Sequence, residues 1–159
     1  NIKSLINSFN DFDIESIKIK AASNKVKVIS DVDNILIMEI ENFEQSKKLG
    51  SGSWCISRNK TYFEQYTEKG AKQYFIYDFN QTSKSVKSLM GVTLTKINTV
   101  KAAHNKSDSQ LKDKKMIDYL IEKVTELKQS DEQKVTTVKK PRTKKETKKL
   151  DITNLIIGF

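Results

Sequence analysis

The sequence contains one cysteine and one histidine, Cys55 and His104, and enzymes use both side chains in nucleophilic catalysis. Asp108 follows shortly after His104. A thiol, an imidazole base and an orienting carboxylate form the arrangement that a cysteine-dependent hydrolase requires. The competing interpretation is a buried, inert thiol, because Cys55 stands between Trp54 and Ile56 in a segment whose pattern predicts a strand. A cysteine-dependent enzyme is therefore the alternative hypothesis, and we expect no metal site and no cofactor.

A second group of residues that could bind a partner is a cluster of positive charge near the C-terminus. Residues 133–150 carry eight basic side chains and one acidic side chain, in a chain whose net charge is +9. Phosphates bind such a segment most strongly, because each neutralised phosphate releases condensed counterions. No aromatic residue lies among these lysines, so sequence-specific recognition of bases is not expected. Two alternatives stay open: the basic segment binds an acidic protein surface, or it serves only to keep the chain solvated. The predicted nucleic-acid-binding residues are Lys134, Lys139, Lys140, Arg142, Lys144, Lys145, Lys148 and Lys149.

The last residues of the sequence, DITNLIIGF, are apolar and follow directly after this basic segment. We expect them to bind a neighbouring protein subunit through Leu155, Ile156, Ile157 and Phe159. No apolar run reaches the length of about 18 residues that a membrane span needs, so no membrane partner is expected. A single cysteine is typical of a reducing compartment. Because the sequence begins with Asn1 rather than methionine, we expect a processed product or a piece of a longer protein.

The first half of the sequence predicts a sheet with short helices. Ile17 and Ile19 alternate with polar residues, as do Val26 and Val28, and both patterns indicate half-buried strands. The run ILIMEI after them is apolar enough for a central strand. A helix then begins at Asn42, a good N-terminal capping residue. The segment SGSWCIS follows, and we predict that it is a short strand.

The second half predicts more strands and then a longer helix. Asn59 is expected to cap a helix that ends near Gly70, before the aromatic strand KQYFIYDF. SLMGVTLTK and INTVKAAH are expected to form a strand pair. Ser107-x-x-Gln110 matches a capping box, and apolar residues at helical spacing predict a helix from about 109 to 128. The predicted fold class is α+β: a mostly antiparallel sheet with short helices, then one longer helix and an extended basic C-terminal arm.

Aromatic residues concentrate in the middle of the chain, and acidic residues pair in two places. An aromatic platform for nucleic acid would need several rings exposed on one face of a sheet, so packing in the core is the preferred interpretation. Two pairs of aspartates lack the spacing of a calcium loop, and we interpret them as turn-forming residues: Asp11 with Asp13, and Asp31 with Asp33.

Residues from about 42 to 108 contain the pieces LGSGSWCIS, YFEQYTEKG, KQYFIYDF, SLMGVTL and AAHNKSD in that order. Together they resemble a domain of uncharacterised proteins from large, AT-rich tailed bacteriophages, in which a Trp-Cys pair follows a glycine-rich turn. The resemblance implies a viral source, and it places a cysteine and a histidine in one pattern. The matching residues are Trp54, Cys55, Phe63, Tyr66, Gly70, Tyr74, Gly91, His104 and Asp108.

These observations divide the sequence into an α+β domain at 1–106, an amphipathic helix at 107–129, a basic flexible arm at 130–150 and an apolar anchor at 151–159. The preferred function is a non-enzymatic, virion-associated structural or binding protein of a bacteriophage. It would be found in the virion or in the host cytoplasm, with other virion or complex subunits and nucleic-acid phosphates as partners. The alternatives are the cysteine-dependent enzyme that uses Cys55 and His104, and a subunit of a viral nucleic-acid-processing complex.

Overall fold

The computed structural model describes residues 13–133, and its centre is an antiparallel sheet of five strands in the order β1-β2-β3-β4-β5. Each strand pairs with the next strand along the chain. The sheet, its short helices and one longer helix confirm the predicted α+β fold. The strands are β1 (Lys27–Ser30), β2 (Ile35–Ile40), β3 (Lys72–Phe79), β4 (Val86–Leu94) and β5 (Val100–Asn105).

Four short helices supply side chains to a core that they share with one face of the sheet. Phe75 on β3 is fully buried there, and the Trp54 ring packs against it with the ring centroids 5.0 Å apart. Burying side chains of this size stabilises a fold by about 2 kcal/mol each. The helices are α1 (Ile14–Ser23), α2 (Phe43–Leu49), α3 (Cys55–Arg58) and α4 (Lys60–Tyr66).

Most of the aromatic residues in the middle of the chain are buried, either in this core or on the opposite face of the sheet. The sequence favoured this interpretation over an exposed aromatic platform. Tyr62 is the exception, since 48% of its surface is exposed. A stacking platform built from several exposed rings is therefore not formed by these residues. The buried rings are Trp54, Phe63, Tyr74, Phe75, Tyr77 and Phe79.

The predicted strand around Ile17 is wrong, because residues 14–23 form helix α1. Ile14, Ile17 and Ala21 recur at helical spacing and are all buried, whereas Ile19 is 67% exposed. Asp13 caps the helix by accepting a hydrogen bond from the Glu15 backbone N–H at 3.3 Å. Burial of one helical face and the cap therefore outweigh the alternation of isoleucine with polar residues.

The predicted strand SGSWCIS is also wrong, because Cys55 begins the short helix α3. The backbone N–H of Trp54 donates to Ser51 O at 3.0 Å, which closes a tight turn just before the helix. The N–H of Ser57 then donates back to Trp54 O at 3.1 Å. These local bonds leave Cys55 half-buried at a helix start, instead of buried in a sheet.

Helix α5, residues 114–133, begins later than the sequence predicted. Its cap is Asp113, whose carboxylate accepts from the Met116 N–H at 3.1 Å. The predicted capping box Ser107–Gln110 is not used, because this segment runs beside edge strand β5 and the Leu111 N–H donates to a carbonyl of that strand. No helix within the described residues is long and apolar enough to cross a membrane.

The chain divides into two compact units between Ile121 and Glu122. Within the described residues, the first unit holds the whole sheet, helices α1 to α4 and the beginning of α5. Of the second unit, the structure describes residues 122–133, which are helical.

Candidate functional site

The three residues that the sequence selected for chemistry, Cys55, His104 and Asp108, line one small pocket. We call it the Cys55 pocket, and it lies on the helix-covered face of the sheet within the first compact unit. Strands β3, β4 and β5 form its floor, and the segment from Trp54 to Tyr66 forms its wall. The pocket is lined by Trp54, Cys55, Ile56, Tyr66, Gln73, Gly91, Thr93, His104 and Asp108.

The register of the sheet places His104 on the same face as the core. Phe75 pairs with Gly91, and Gly91 pairs with His104, so these three residues share one face of neighbouring strands. Gly91 provides the space that the Trp54 ring occupies. A Cβ atom at this position would lie 3.1 Å from Cη2 of that ring. The glycine therefore lets the Trp54 turn approach the sheet beside His104.

Hydrogen bonds join the turn that carries Cys55 to the loop that follows His104. The Trp54 indole Nε1–H donates to Asn105 O at 2.7 Å. Close to it, the Ser51 hydroxyl donates to Lys106 O at 2.6 Å. Two bonds between segments so distant in sequence hold the turn before Cys55 against the loop after His104.

Tyr66, at the C-terminal end of α4, lines the pocket together with Cys55. Burial raises the pKa of Tyr66, and a hydrogen bond with the Cys55 side chain and the charges of Cys55 and Asp108 raise it further. Tyr66 and Cys55 are therefore neighbours in the lining of this pocket.

Asp108 occupies a turn at the mouth of the pocket. Its backbone is left-handed, with φ of 64°, and its N–H donates to Asn105 O at 3.0 Å. The Asn105 side-chain oxygen also accepts from the N–H groups of Ser107 and Ser109. Aspartate tolerates this conformation better than most residues, so the turn holds an exposed carboxylate in the lining of the pocket.

The floor of the pocket is polar although it is almost completely buried. Gln73 and Thr93 are 1% and 2% exposed, and the Thr93 hydroxyl donates to Gln73 Oε1 at 2.6 Å. Gln73 Nε2 donates to Tyr74 O at 3.2 Å. Satisfied polar groups of this kind are tolerated in a core, and both residues line the pocket with Cys55.

The pocket is small. It measures about 270 Å³ including its open mouth, while its interior has room for about one water molecule. Within residues 13–133, no group of three or more His, Cys, Asp or Glu residues could hold a metal ion. The pocket therefore brings a thiol, an imidazole and a carboxylate to one small opening.

The sequence selected three of the residues that line this pocket for their chemistry, and the resemblance added Tyr66, but Gln73 and Thr93 were missed. One signal for Gln73 was present: it alternates with Phe75 and Tyr77 on β3, and a glutamine on an otherwise apolar face is unusual. Tyr66 belonged to the resemblance pattern, but no chemical role was assigned to it, because its place in the pocket depends on how α3 and α4 pack.

The other predicted sites, the basic residues from Lys134 to Lys149 and the apolar residues from Leu155 to Phe159, lie outside the described part of the chain. Comparison with protein-family models, with curated proteins and with solved structures gave no match. The resemblance to a bacteriophage domain therefore stays a prediction.

Proposed function

We propose that this chain is a cysteine-dependent enzyme in which Cys55 is the nucleophile and His104 is the base. This was the alternative hypothesis from the sequence, which preferred a non-enzymatic binding protein. One observation carries the proposal: the cysteine and the histidine line the same pocket, together with Asp108 and Tyr66.

Each residue has a role that follows from its chemistry. The thiolate of Cys55 is the attacking species, since a thiol is a far weaker nucleophile. His104 accepts the thiol proton as general base. Tyr66 lines the pocket with them, and the role proposed for the Asp108 carboxylate is to stabilise the imidazolium that forms.

The proposal is tested by the rate at which iodoacetamide alkylates Cys55 in the folded full-length chain. Loss of a general base lowers a rate by about 100-fold. We therefore expect His104→Gln to slow alkylation at neutral pH by about 100-fold. Asp108→Asn should slow alkylation by less. Asp113→Asn is the matched control, because Asp113 caps α5 and does not line the pocket. Equal alkylation rates for the wild type and His104→Gln would remove the histidine from the mechanism.

A second candidate function is phosphate binding by the basic segment, and the distribution of charge favours it. Eight basic residues and one acidic residue lie in 133–150, and no aromatic residue interrupts them. Such a segment binds nucleic acid without reading its sequence. The apolar residues after it would bind a neighbouring subunit, as in a virion-associated protein or a subunit of a nucleic-acid-processing complex.

This second candidate is tested by the salt dependence of nucleic-acid binding. We expect the affinity of the full chain for duplex DNA to fall by about 1,000-fold or more between about 50 and about 200 mM salt. A chain that ends at Gln133 should bind far more weakly at low salt. Affinity that is flat over this range of salt, or unchanged by the truncation, would contradict phosphate binding by this segment.

A further inference from the structure

We infer that the groove between β5 and the start of α5 binds the apolar anchor, residues 151–159, of a second copy of this chain. The inference rests on the second candidate function and deepens it, since it names the surface that receives those apolar residues. It is carried by the open edge of β5, by the lining of the groove and by the sequence of the anchor.

Strand β5 lies at the edge of the sheet, and within the described residues only its second half is covered on the outer side. There the Asn105 N–H donates to Ser109 O at 2.9 Å. The Leu111 N–H donates to Ala103 O, also at 2.9 Å. The first half of the strand, residues 100–102, therefore presents a backbone edge, and an extended peptide can pair with such an edge as an added strand.

Lysine side chains often protect an edge strand from pairing, and β5 has one, Lys101. Its amine donates to Gln65 O at 3.1 Å and to Tyr66 O at 3.2 Å. These carbonyls belong to the C-terminal end of α4, on the helix-covered face of the sheet. The two bonds hold the ammonium group at α4, so it does not shield the backbone of the open half.

The groove beside this open half has an apolar lining. Val100 is 44% exposed, and Leu111, Ile117 and Ile121 are half-buried around it. The volume of the groove is about 530 Å³, which lies within the range of about 300 to 1,000 Å³ typical of binding pockets. The groove is therefore large enough to hold several apolar side chains.

The sequence of the anchor, DITNLIIGF, matches this lining. Side chains of an extended segment alternate, so Leu155, Ile157 and Phe159 would share one side of it. These three side chains would pack on the apolar lining while the backbone of the anchor pairs with residues 100–102. This is the mode in which an added strand gains affinity from its backbone and specificity from alternate side chains.

Charge favours the same occupant. The groove is also lined by three lysines, Lys101, Lys112 and Lys114, and by one aspartate, Asp118. Asp151 is the only charged residue in the sequence of the anchor. The anchor is thus acidic where the groove is basic, and complementary charges favour this pairing over wrong partners.

The proposed phosphate binding explains why the anchor comes from a second copy. Binding without sequence readout loads copies side by side on one nucleic acid, and the anchor of one copy then meets the groove of the next at a high effective concentration. Residues 134–154 precede Leu155, and a segment of this length can extend over about 70 Å. Phosphates also neutralise the lysines of this segment, which would otherwise repel those of the groove.

The first experiment measures the binding of a fluorescent synthetic peptide, DITNLIIGF, to the full-length chain by fluorescence polarisation. The chain carries Ile157→Asp, so that its own anchor does not compete. We expect saturable binding that Val100→Asp weakens by about tenfold or more, because this change places a charge in the apolar lining. Val28→Asp is the matched control, since Val28 is also 44% exposed and lies on the opposite edge strand, β1. Absence of saturable binding, or equal losses in the two variants, would overturn the inference.

The second experiment tests the second copy by sedimentation velocity of full-length chains, at concentrations above the Kd of the peptide. We expect the wild type to associate, and Val100→Asp and Ile157→Asp each to sediment as monomers. Their mixture should form a heterodimer, because one chain keeps the anchor and the other keeps the groove. A monomeric wild type beside an associating mixture would show that the anchor occupies the groove of its own chain, which would overturn the second copy.

Failure of this inference can be separated from failure of the proposed function. If duplex DNA binds the full chain with a steep dependence on salt, but the peptide does not bind, the groove is wrong and phosphate binding stands. If the peptide binds and the affinity for DNA is flat with salt, the groove stands and phosphate binding falls.

Discussion

At the scale of single residues, the Cys55 pocket depends on a few close contacts that leave little freedom. Gly91 makes room for the Trp54 ring, and the indole N–H of that ring is bonded to Asn105 O. The sequence indicated Cys55 and His104 because each is the single residue of its type. Such reasoning has no access to contacts between distant segments, and for this reason the polar floor was not predicted.

A glycine substitution tests how tightly the Trp54 turn packs on the sheet. We expect Gly91→Ala to lower the free energy of unfolding by about 1 kcal/mol, because a fully packed ring cannot move away from the added methyl group. The Cβ of Gly52→Ala would meet no atom within 4 Å, so this control should unfold as the wild type does. Urea unfolding, monitored by the fluorescence of Trp54, the single tryptophan, measures the free energy of unfolding of both variants. Equal losses in the two variants would contradict the packing argument.

The buried hydroxyl of Tyr77 predicts a loss of stability at alkaline pH. It donates to Leu49 O, and burial raises the pKa of Tyr77 well above its ordinary value of 10.0. The unfolded chain therefore releases this proton at a lower pH than the folded chain does. The contribution to stability is complete below about pH 10 and is lost as the pH rises further.

Tyr77→Phe should accordingly weaken the alkaline decline in the free energy of unfolding. Tyr62→Phe is the control, since its exposed side chain should leave the wild-type slope unchanged. Urea titrations at several pH values between about 8 and 11 provide the measurement. A wild-type slope in Tyr77→Phe would show that this buried phenol does not couple folding to pH.

At the scale of elements, the sequence predicted the sheet better than the helices around it. The strands β2 to β5 follow from apolar and aromatic runs, and the Asn42 cap is confirmed, with its side chain accepting from Gln45 N at 2.9 Å. The two errors near Ile17 and Cys55 share one cause. In short segments, alternation also occurs by chance, and the outcome is decided by caps and by burial that the local pattern does not contain.

Two isoleucines in α1 distinguish the observed helix from the strand that the pattern suggested. Ile17 is 3% exposed and Ile19 is 67% exposed, whereas alternation would place both on one face of a strand. We expect Ile17→Asp to lower the free energy of unfolding by about 3 kcal/mol, because it buries an unpaired charge. Ile19→Asp should change it by less than about 0.5 kcal/mol. Similar losses in both variants, measured by urea unfolding, would favour the strand.

At the scale of the whole molecule, the two proposed activities belong to different parts of the chain. The thiol pocket lies in the first compact unit, and the basic segment 133–150 lies beyond the boundary at Ile121. Each proposal can therefore fail without the other. Removal of the basic segment should leave the chemistry of Cys55 intact, and Cys55→Ser should leave phosphate binding intact.

The reactivity of Cys55 in the folded chain tests the central claim most directly. The measurement is intact-mass spectrometry of the full-length protein after brief exposure to iodoacetamide at neutral pH, with a urea-unfolded sample treated in parallel. We predict that the folded chain gains a single adduct, at Cys55, at least as fast as the unfolded chain. A folded chain that resists alkylation, and reacts only when urea unfolds it, would show that Cys55 is an inert structural thiol.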